Sequence, residues 1–185
     1  MRISGGKARG VELRVSKKSV HRPAMDRLRQ GIFSSLGQTM VDARVCDLYA
    51  GTGSYGLEAL SRGSGSCCFI ELSRNACTMI KNNLRIVAKS MGEPTLIAKV
   101  IQGDAVKTVG QIGENYDIIF VDPPYDTITH SAPKLFDALD HALSDDGLVV
   151  FEMPGNLEII PEGWILKKRL GKGNNQPTAC LYKRA

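Results

Sequence analysis

The sequence predicts an α/β fold: a doubly wound, mostly parallel sheet, extended by an N-terminal β-ribbon and helix and closed by an antiparallel C-terminal hairpin. Three observations carry this expectation. From Arg44 onward, short apolar runs rich in β-branched and aromatic residues alternate with segments whose apolar residues recur at helical spacing, the pattern of successive βα units. The first run opens into the glycine-rich stretch Ala50-Gly51-Thr52-Gly53-Ser54-Tyr55-Gly56. Glycines between a buried strand and a helix N-terminus let backbone approach a ligand closely. Four successive strand ends also carry carboxylates, Asp47, Glu71, Asp104 and Asp122, and open α/β sheets bind ligands at that edge.

Taken in order, residues 2–15 hold Gly5, Gly6 and Gly10 as turn formers and then alternate Val11, Leu13 and Val15 with charged residues, which predicts a small ribbon with those three facing the body. A ribbon of this size needs a body to rest on. Met25, Leu28, Ile32, Phe33 and Leu36 fall on one face of a helix, which directs Arg22, Arg27 and Arg29 elsewhere. Residues 45–49 read as the first strand and 67–71 as the second, followed by a long helix with Ala76, Ile80, Leu84 and Val87 inward. Residues 96–101 give a third strand leading to Gly103-Asp104-Ala105, and 116–121 a fourth leading to Asp122-Pro123-Pro124-Tyr125. A helix over 131–143, a strand over 147–152 and a hairpin joining 164–170 to 178–182 complete the chain. Residues 1–40 are thus expected to form the extension and 41–185 the main domain.

A chain of 185 residues with 43% hydrophobic content sustains one sizeable core. Five cysteines, an odd number without C-x-x-C spacing and mostly in apolar surroundings, argue against a disulfide framework and a zinc site. The N-terminus is basic without an apolar stretch behind it, and no run approaches the roughly 20 apolar residues that span a bilayer; a cytoplasmic protein is expected. Residues 1–30 carry nine Lys and Arg against two acids, and residues 163–185 six against none, so the middle is acidic. Basic ends flanking a pocket make an electrostatic footprint for nucleic acid. Arg2, Lys7, Arg9, Arg22, Arg27 and Arg29, with Lys167, Lys168, Arg169 and Lys172, are the candidate phosphate contacts.

Gly51, Gly53 and Gly56 satisfy the G-x-G-x-x-G fingerprint and Glu71 follows Gly51 by 20 residues, so a dinucleotide enzyme has to be weighed. Three features oppose it. Asp47, just upstream of the glycines, would repel a pyrophosphate but pair with an ammonium group. Asp104 can accept a hydrogen bond from an adenine amino group. The chain is also too short for a separate substrate domain. A ligand joining an ammonium, a ribose and an adenine answers Asp47, Glu71 and Asp104 together, and S-adenosylmethionine is such a ligand. The Asp122-Pro123-Pro124-Tyr125 stretch then presents a carboxylate and an aromatic ring to a planar, hydrogen-bonding substrate.

The chain resembles the class I S-adenosylmethionine-dependent methyltransferases, with their Rossmann-like sheet, and among them the bacterial small-subunit (16S) ribosomal RNA guanine-N2 methyltransferases. The resemblance rests on the opening Arg-Ile-Ser-Gly-Gly, Arg22-Pro23 with Asp26-Arg27 and Arg29, Tyr49-Ala50-Gly51-Thr52-Gly53, the 56–63 stretch Gly-Leu-Glu-Ala-Leu-Ser-Arg-Gly, and Asp122-Pro123-Pro124-Tyr125. It implies S-adenosylmethionine held by Asp47, Tyr49, Ala50, Gly51, Gly53, Glu71, Asp104 and Ala105. It further implies a catalytic stretch of Asp122, Pro123, Pro124 and Tyr125, with a guanine stacked on Tyr125 and the Asp122 carboxylate and the Pro123 carbonyl accepting from its exocyclic amine. No metal is called for, the partner is ribosomal RNA, free or within the small subunit, and a monomer is expected. Two departures bear on substrate contacts: Ala24 and Met25 stand where the family has small hydroxyl residues, and the stretch from Lys172 to Asn175 lacks its Tyr-Gly pair. A DNA adenine-N6 methyltransferase could use the same four residues, and a catalytically silent nucleic-acid-binding module would keep the same fold.

Overall fold

The strands read as near-continuous apolar runs because helices cover both faces of the sheet. The computed structural model describes residues 1–16, 23–93, 96–113, 115–171, 173–174 and 176–185. In chain order it places α1 (Pro23–Leu36), a 3-10 turn (Gly37–Met40), β1 (Arg44–Leu48), α2 (Ser54–Ser61), β2 (Ser66–Glu71), α3 (Arg74–Met91) and β3 (Ala98–Gln102). There follow α4 (Ala105–Val109), β4 (Tyr116–Val121), α5 (Ile128–Ala142), β5 (Leu143–Pro154), β6 (Trp164–Leu170) and β7 (Pro177–Arg184). The seven strands lie in the order β3-β2-β1-β4-β5-β7-β6. The first five pair parallel, whereas β7 runs antiparallel between β5 and β6, as the alternating pattern and the closing hairpin predicted. After β3 the chain crosses back to lay β4 against the free side of β1, so the strand order reverses there. The carboxyl ends of β1 and β4 open the crevice in which such sheets bind ligands.

Side chains alternate between two core layers with the period of two that a pleated strand imposes. Val45, Phe69, Ile118, Phe120 and Val150 face α1, α2 and α3, whereas Cys46, Ile70, Ile119, Val121 and Phe151 face α4 and α5. All five cysteines are buried free thiols. Among the described residues no helix is long and apolar enough to cross a membrane.

In the N-terminal segment Leu13 and Val11 face the body as expected, and Val15 does not. A single antiparallel bridge joins Arg2 to Glu12, flanked by hydrogen bonds from Ile3 N–H to the Val11 carbonyl (2.9 Å) and from Leu13 N–H to the Met1 carbonyl (3.0 Å). Ile3, Ala8 and Leu13 are buried, while Val15 is 38% exposed. The turn is shaped by α2 as much as by its own glycines. Lys7 N–H donates to the Ser61 carbonyl at 2.7 Å, Ala8 N–H to the Ser61 hydroxyl at 2.9 Å, and that hydroxyl donates to the Gly5 carbonyl at 2.6 Å. Gly6 has φ +76° and its missing Cβ would collide with the Ser61 carbonyl, so only glycine fits.

Arg29 also departs from the expectation that it faces outward. It lies in the buried stripe of α1 with Leu28, Ile32, Phe33 and Leu36, pairs with Asp26 at 3.0 Å and Glu58 at 3.8 Å, and donates to the Arg2 carbonyl at 2.9 Å. A guanidinium is tolerated there because Glu58, itself fully buried, supplies the opposite charge. Glu58 accepts from Ser4 N–H and the Ser4 hydroxyl, both at 2.7 Å, and from Arg62 Nε at 2.8 Å. Removing one member of a buried pair leaves the other charge uncompensated. Glu58→Ala is therefore expected to lower the unfolding free energy by about 3–5 kcal/mol in urea denaturation. A loss under about 0.5 kcal/mol, the size of an ordinary surface change, would show that the N-terminal segment is held otherwise.

Candidate active site

The glycine-rich loop is held in left-handed backbone at three of five positions, Tyr49 (φ 57°), Gly51 (φ 53°) and Gly53 (φ 79°). Tyr49 bears a steric strain there that glycine does not, a feature that collects at functional sites. Hydrogen bonds enforce the shape. Ala50 N–H donates to the Ile70 carbonyl at 3.2 Å and Gly53 N–H to the Ala50 carbonyl at 2.6 Å, while Gly51 N–H donates to Glu71 Oε2 at 2.9 Å. Gly56, the last glycine of the fingerprint, serves packing: a Cβ there would strike the Phe69 ring and the Cys67 sulfur. It lets α2 lie directly on β2.

Asp47 lies in β1 where the sequence placed it, but is 1% exposed and is not among the residues lining the cleft described below. Its Oδ2 accepts the Gly56 N–H at 2.9 Å, so it orders the start of α2. Burial, reinforced by Glu71 and Cys68 against the Gly56 hydrogen bond, pushes its carboxyl up to about 8.

Beside the loop, a cleft of about 470 Å³ is lined by Tyr49, Ile70, Glu71, Leu72, Gly103, Asp104, Ala105 and Asp122 through Tyr125. The second Glu71 oxygen accepts from Ser73 N–H at 2.7 Å, at the start of α3. Asp104 caps α4, its Oδ1 accepting from Lys107 N–H at 3.0 Å, and Ala105 is buried behind it. Gly51 touches the cleft through Glu71; Ala50 and Gly53 are buried beneath the loop.

Pro123 is buried, and the Pro124 carbonyl accepts from Thr127 N–H (3.0 Å) and its hydroxyl (2.9 Å). That turn carries Tyr125 outward, 44% exposed. Burial raises the Asp122 carboxyl well above the ordinary carboxylate range, with Glu152 and then Asp47 adding to the rise. Glu152 carried no role in the sequence reading. It is 3% exposed and accepts from the Tyr55 hydroxyl at 2.6 Å and the Tyr125 hydroxyl at a longer 3.3 Å. The available signal was that a fifth strand, like the four before it, closes on a carboxylate.

The basic candidates divide. Arg2, Arg9, Arg27, Lys167 and Lys168 are exposed; Arg2 also meets Glu12 at 3.4 Å, and Lys7 pairs with Glu93. Arg29 is withdrawn from the surface set, since its charge is neutralised by Asp26 and Glu58. Arg169 ties down the chain after β5, donating to the Gly155 and Leu157 carbonyls at 2.8 and 2.9 Å. Arg22, Lys172 and Asn175 lie outside the described residues. Arg27 borders a groove of about 530 Å³ between α1 and the C-terminal hairpin, with Ala24, Gly31, Gly171 and Gln176.

Residues 1–183 match the family model described as conserved hypothetical protein 95. The chain is 32% identical over 188 residues to the ribosomal RNA small subunit methyltransferase D of Escherichia coli K12, covering 100% of this chain and 90% of that protein. It is 29% identical over 177 residues to the protein of the same name from Haemophilus influenzae, covering 94% and 89%. A solved structure of the Escherichia coli methyltransferase candidate yhhF superposes with a TM-score of 0.83 at 30% identity, over 100% of this chain and 97% of that one.

The Asp47 environment gives a signed stability prediction. Because the folded carboxyl holds its proton up to about 8 and an unfolded aspartate only to about 3.9, its contribution is whole below pH 4 and is lost as pH rises toward 8. Asp47→Asn mimics the protonated form and keeps an oxygen for Gly56 N–H. Relative to wild type it should gain stability steadily from pH 5 to pH 8 in urea titrations, and a pH-independent difference would refute the assignment.

Proposed function

The chain belongs to the conserved hypothetical protein 95 family, and on that premise we propose that it transfers a methyl group from S-adenosylmethionine to the exocyclic N2 amine of a guanine in small-subunit ribosomal RNA. The carrying observation is that Asp122 through Tyr125 open into the same cleft as Glu71 and Asp104, so a nucleoside-sized ligand and a planar amine would meet there. A cleft of about 470 Å³ suits such a ligand. Its polar groups fit: Glu71 offers acceptors to ribose hydroxyls and Asp104 to an adenine amino group, and Tyr49 at the head of the glycine-rich loop lines the same cleft.

When bound, S-adenosylmethionine supplies an electrophilic methyl group. Asp122 and the Pro123 carbonyl accept from the guanine amine and aim its nitrogen lone pair. The Tyr125 ring stacks on the base, a contact worth about 1–3 kcal/mol and indifferent to sequence. On transfer of that methyl to the aimed nitrogen, the proton that the nitrogen gives up would pass to Asp122 or water. Rate gain then rests on proximity, orientation and local charge. Residues 1–40 would present RNA contacts through Arg2, Lys7, Arg9 and Arg27, with Lys167 and Lys168 on the hairpin, holding phosphates without reading bases. A cytoplasmic monomer acting on free or assembled RNA fits this reading.

Labelled S-adenosylmethionine offered with DNA, bare ribosomal RNA and small subunits lacking the modification, followed by mapping, should place label on one guanine N2 of the small-subunit RNA. Label on DNA adenine would overturn the proposal. Asp122→Ala should lower transfer by at least about 10²–10³-fold, the cost of removing one aligned polar group, with S-adenosylmethionine binding retained in calorimetry. RNA binding should weaken steeply as salt rises, and a flat salt response would exclude the phosphate contacts.

A further inference from the structure

Glu152 lies near the carboxyl end of β5 (Leu143–Pro154), beside Asp122 just past β4. Phe120 pairs with Val150 and Val121 with Phe151, so the next step of that register sets Asp122 against Glu152. With the alternation of side chains, both share the face of Asp47, one strand further across. Burying a carboxylate there costs several kcal/mol unless hydrogen bonds and opposite charge offset it, and the reaction above assigns it no task. Glu152 receives two phenol hydroxyls, from Tyr55 and Tyr125. Tyr55 is buried on α2 and stacked on Phe120, ring centroids 5.0 Å apart. Tyr125 is the exposed ring of the cleft.

We propose that Glu152 is a positioning residue of the methyl-transfer site: it tethers the Tyr125 ring and sets a second carboxylate beside Asp122 across the β4–β5 register. The proposal rests on the methyl-transfer reading of Asp122 and deepens it. A ring that follows two prolines and is 44% exposed is held to one stacking plane more firmly by a tether on its hydroxyl. Tyr125 finds it in the carboxylate that also holds Tyr55, so the base platform and the helix behind the glycine loop share one anchor.

Asp122 is faced by Glu152 from β5, Asp47 from β1 and Tyr55 from α2. Burial raises the Glu152 carboxyl too, but Tyr55, Tyr125 and the Arg29 guanidinium from α1 all face it and favour its charged form. Hydrogen bonds from the two phenols thus favour charge on Glu152, whereas burial and the neighbouring carboxylates oppose it on Asp122. Asp122 accepts the amine hydrogen bond most strongly, and can take the amine's proton, only when ionised; removing the neighbouring charge should let it ionise at lower pH.

The test compares wild type, Glu152→Gln and Tyr125→Phe by single-turnover transfer to small subunits from pH 5 to 9. It also follows the ¹³C carboxyl resonance of Asp122 in aspartate-labelled protein without substrate, assigned by its loss in Asp122→Asn. Glu152→Gln should move the acid limb and the Asp122 titration to lower pH together, by about one unit or more, the usual size of a like-charge effect. Tyr125→Phe, at an exposed residue where folding is not at issue, should move both the same way but less, because Glu152 then competes better for the proton. It should also raise KM for the subunit. Loss of rate in Glu152→Gln with limb and resonance unmoved would reduce Glu152 to a structural part, and Tyr125→Phe indistinguishable from wild type would remove the tether. Should the resonance shift while wild type labels no RNA, the coupling of Glu152 to Asp122 stands and the proposed substrate falls.

Discussion

The hydrogen bond from Gly56 N–H to the buried Asp47 carboxyl is the constraint on which much of the molecule depends. It sets where α2 begins, and α2 reaches both the carboxylate cluster at the sheet edge and the N-terminal segment. One turn of that helix sends Tyr55 to Glu152. The next sends Glu58 to Ser4, Arg29 and Arg62, and its end holds the N-terminal turn through Ser61. Gly56 permits this by having no side chain to keep helix and sheet apart. The loop ahead of α2 can hold left-handed backbone at Tyr49 because the helix it leads into is so firmly placed.

Three carboxyl groups, Asp47, Asp122 and Glu152, gather on one face at the carboxyl edge of neighbouring strands, and burial drives all three upward. Their environments then separate them. Asp47 has one backbone donor, Glu152 has two phenols and a nearby guanidinium, and Asp122 opens to the cleft. Titratable groups so differently surrounded divide proton holding from charge holding, as catalytic acids and bases do. A sulfonium ligand beside them would favour the ionised forms.

The basic character of the chain ends is partly internal. Arg29 balances Glu58, and Arg169 is engaged by backbone carbonyls. The cations that face solvent form a smaller set spread over the N-terminal turn, α1 and β6. On the proposed reading, such a set would supply sequence-independent attraction to a polyanion.

Local pattern determined the α/β alternation, the glycine loop at the first strand, the closing hairpin and the cleft membership of Glu71, Asp104 and Asp122, because strand periodicity and turn chemistry are short-range properties. It placed Asp47 in the right strand but could not tell that its oxygen would be taken by Gly56, since that depends on how closely a helix docks on a sheet. Arg29 looked like a surface charge because its partner, Glu58, lies 29 residues away. Glu152 was passed over because its meaning is the register of β5 against β4 and the reach of two tyrosines from separate segments. Which carboxylates meet, and which keep a proton, were decided by tertiary packing, where distance in the chain no longer measures distance in space.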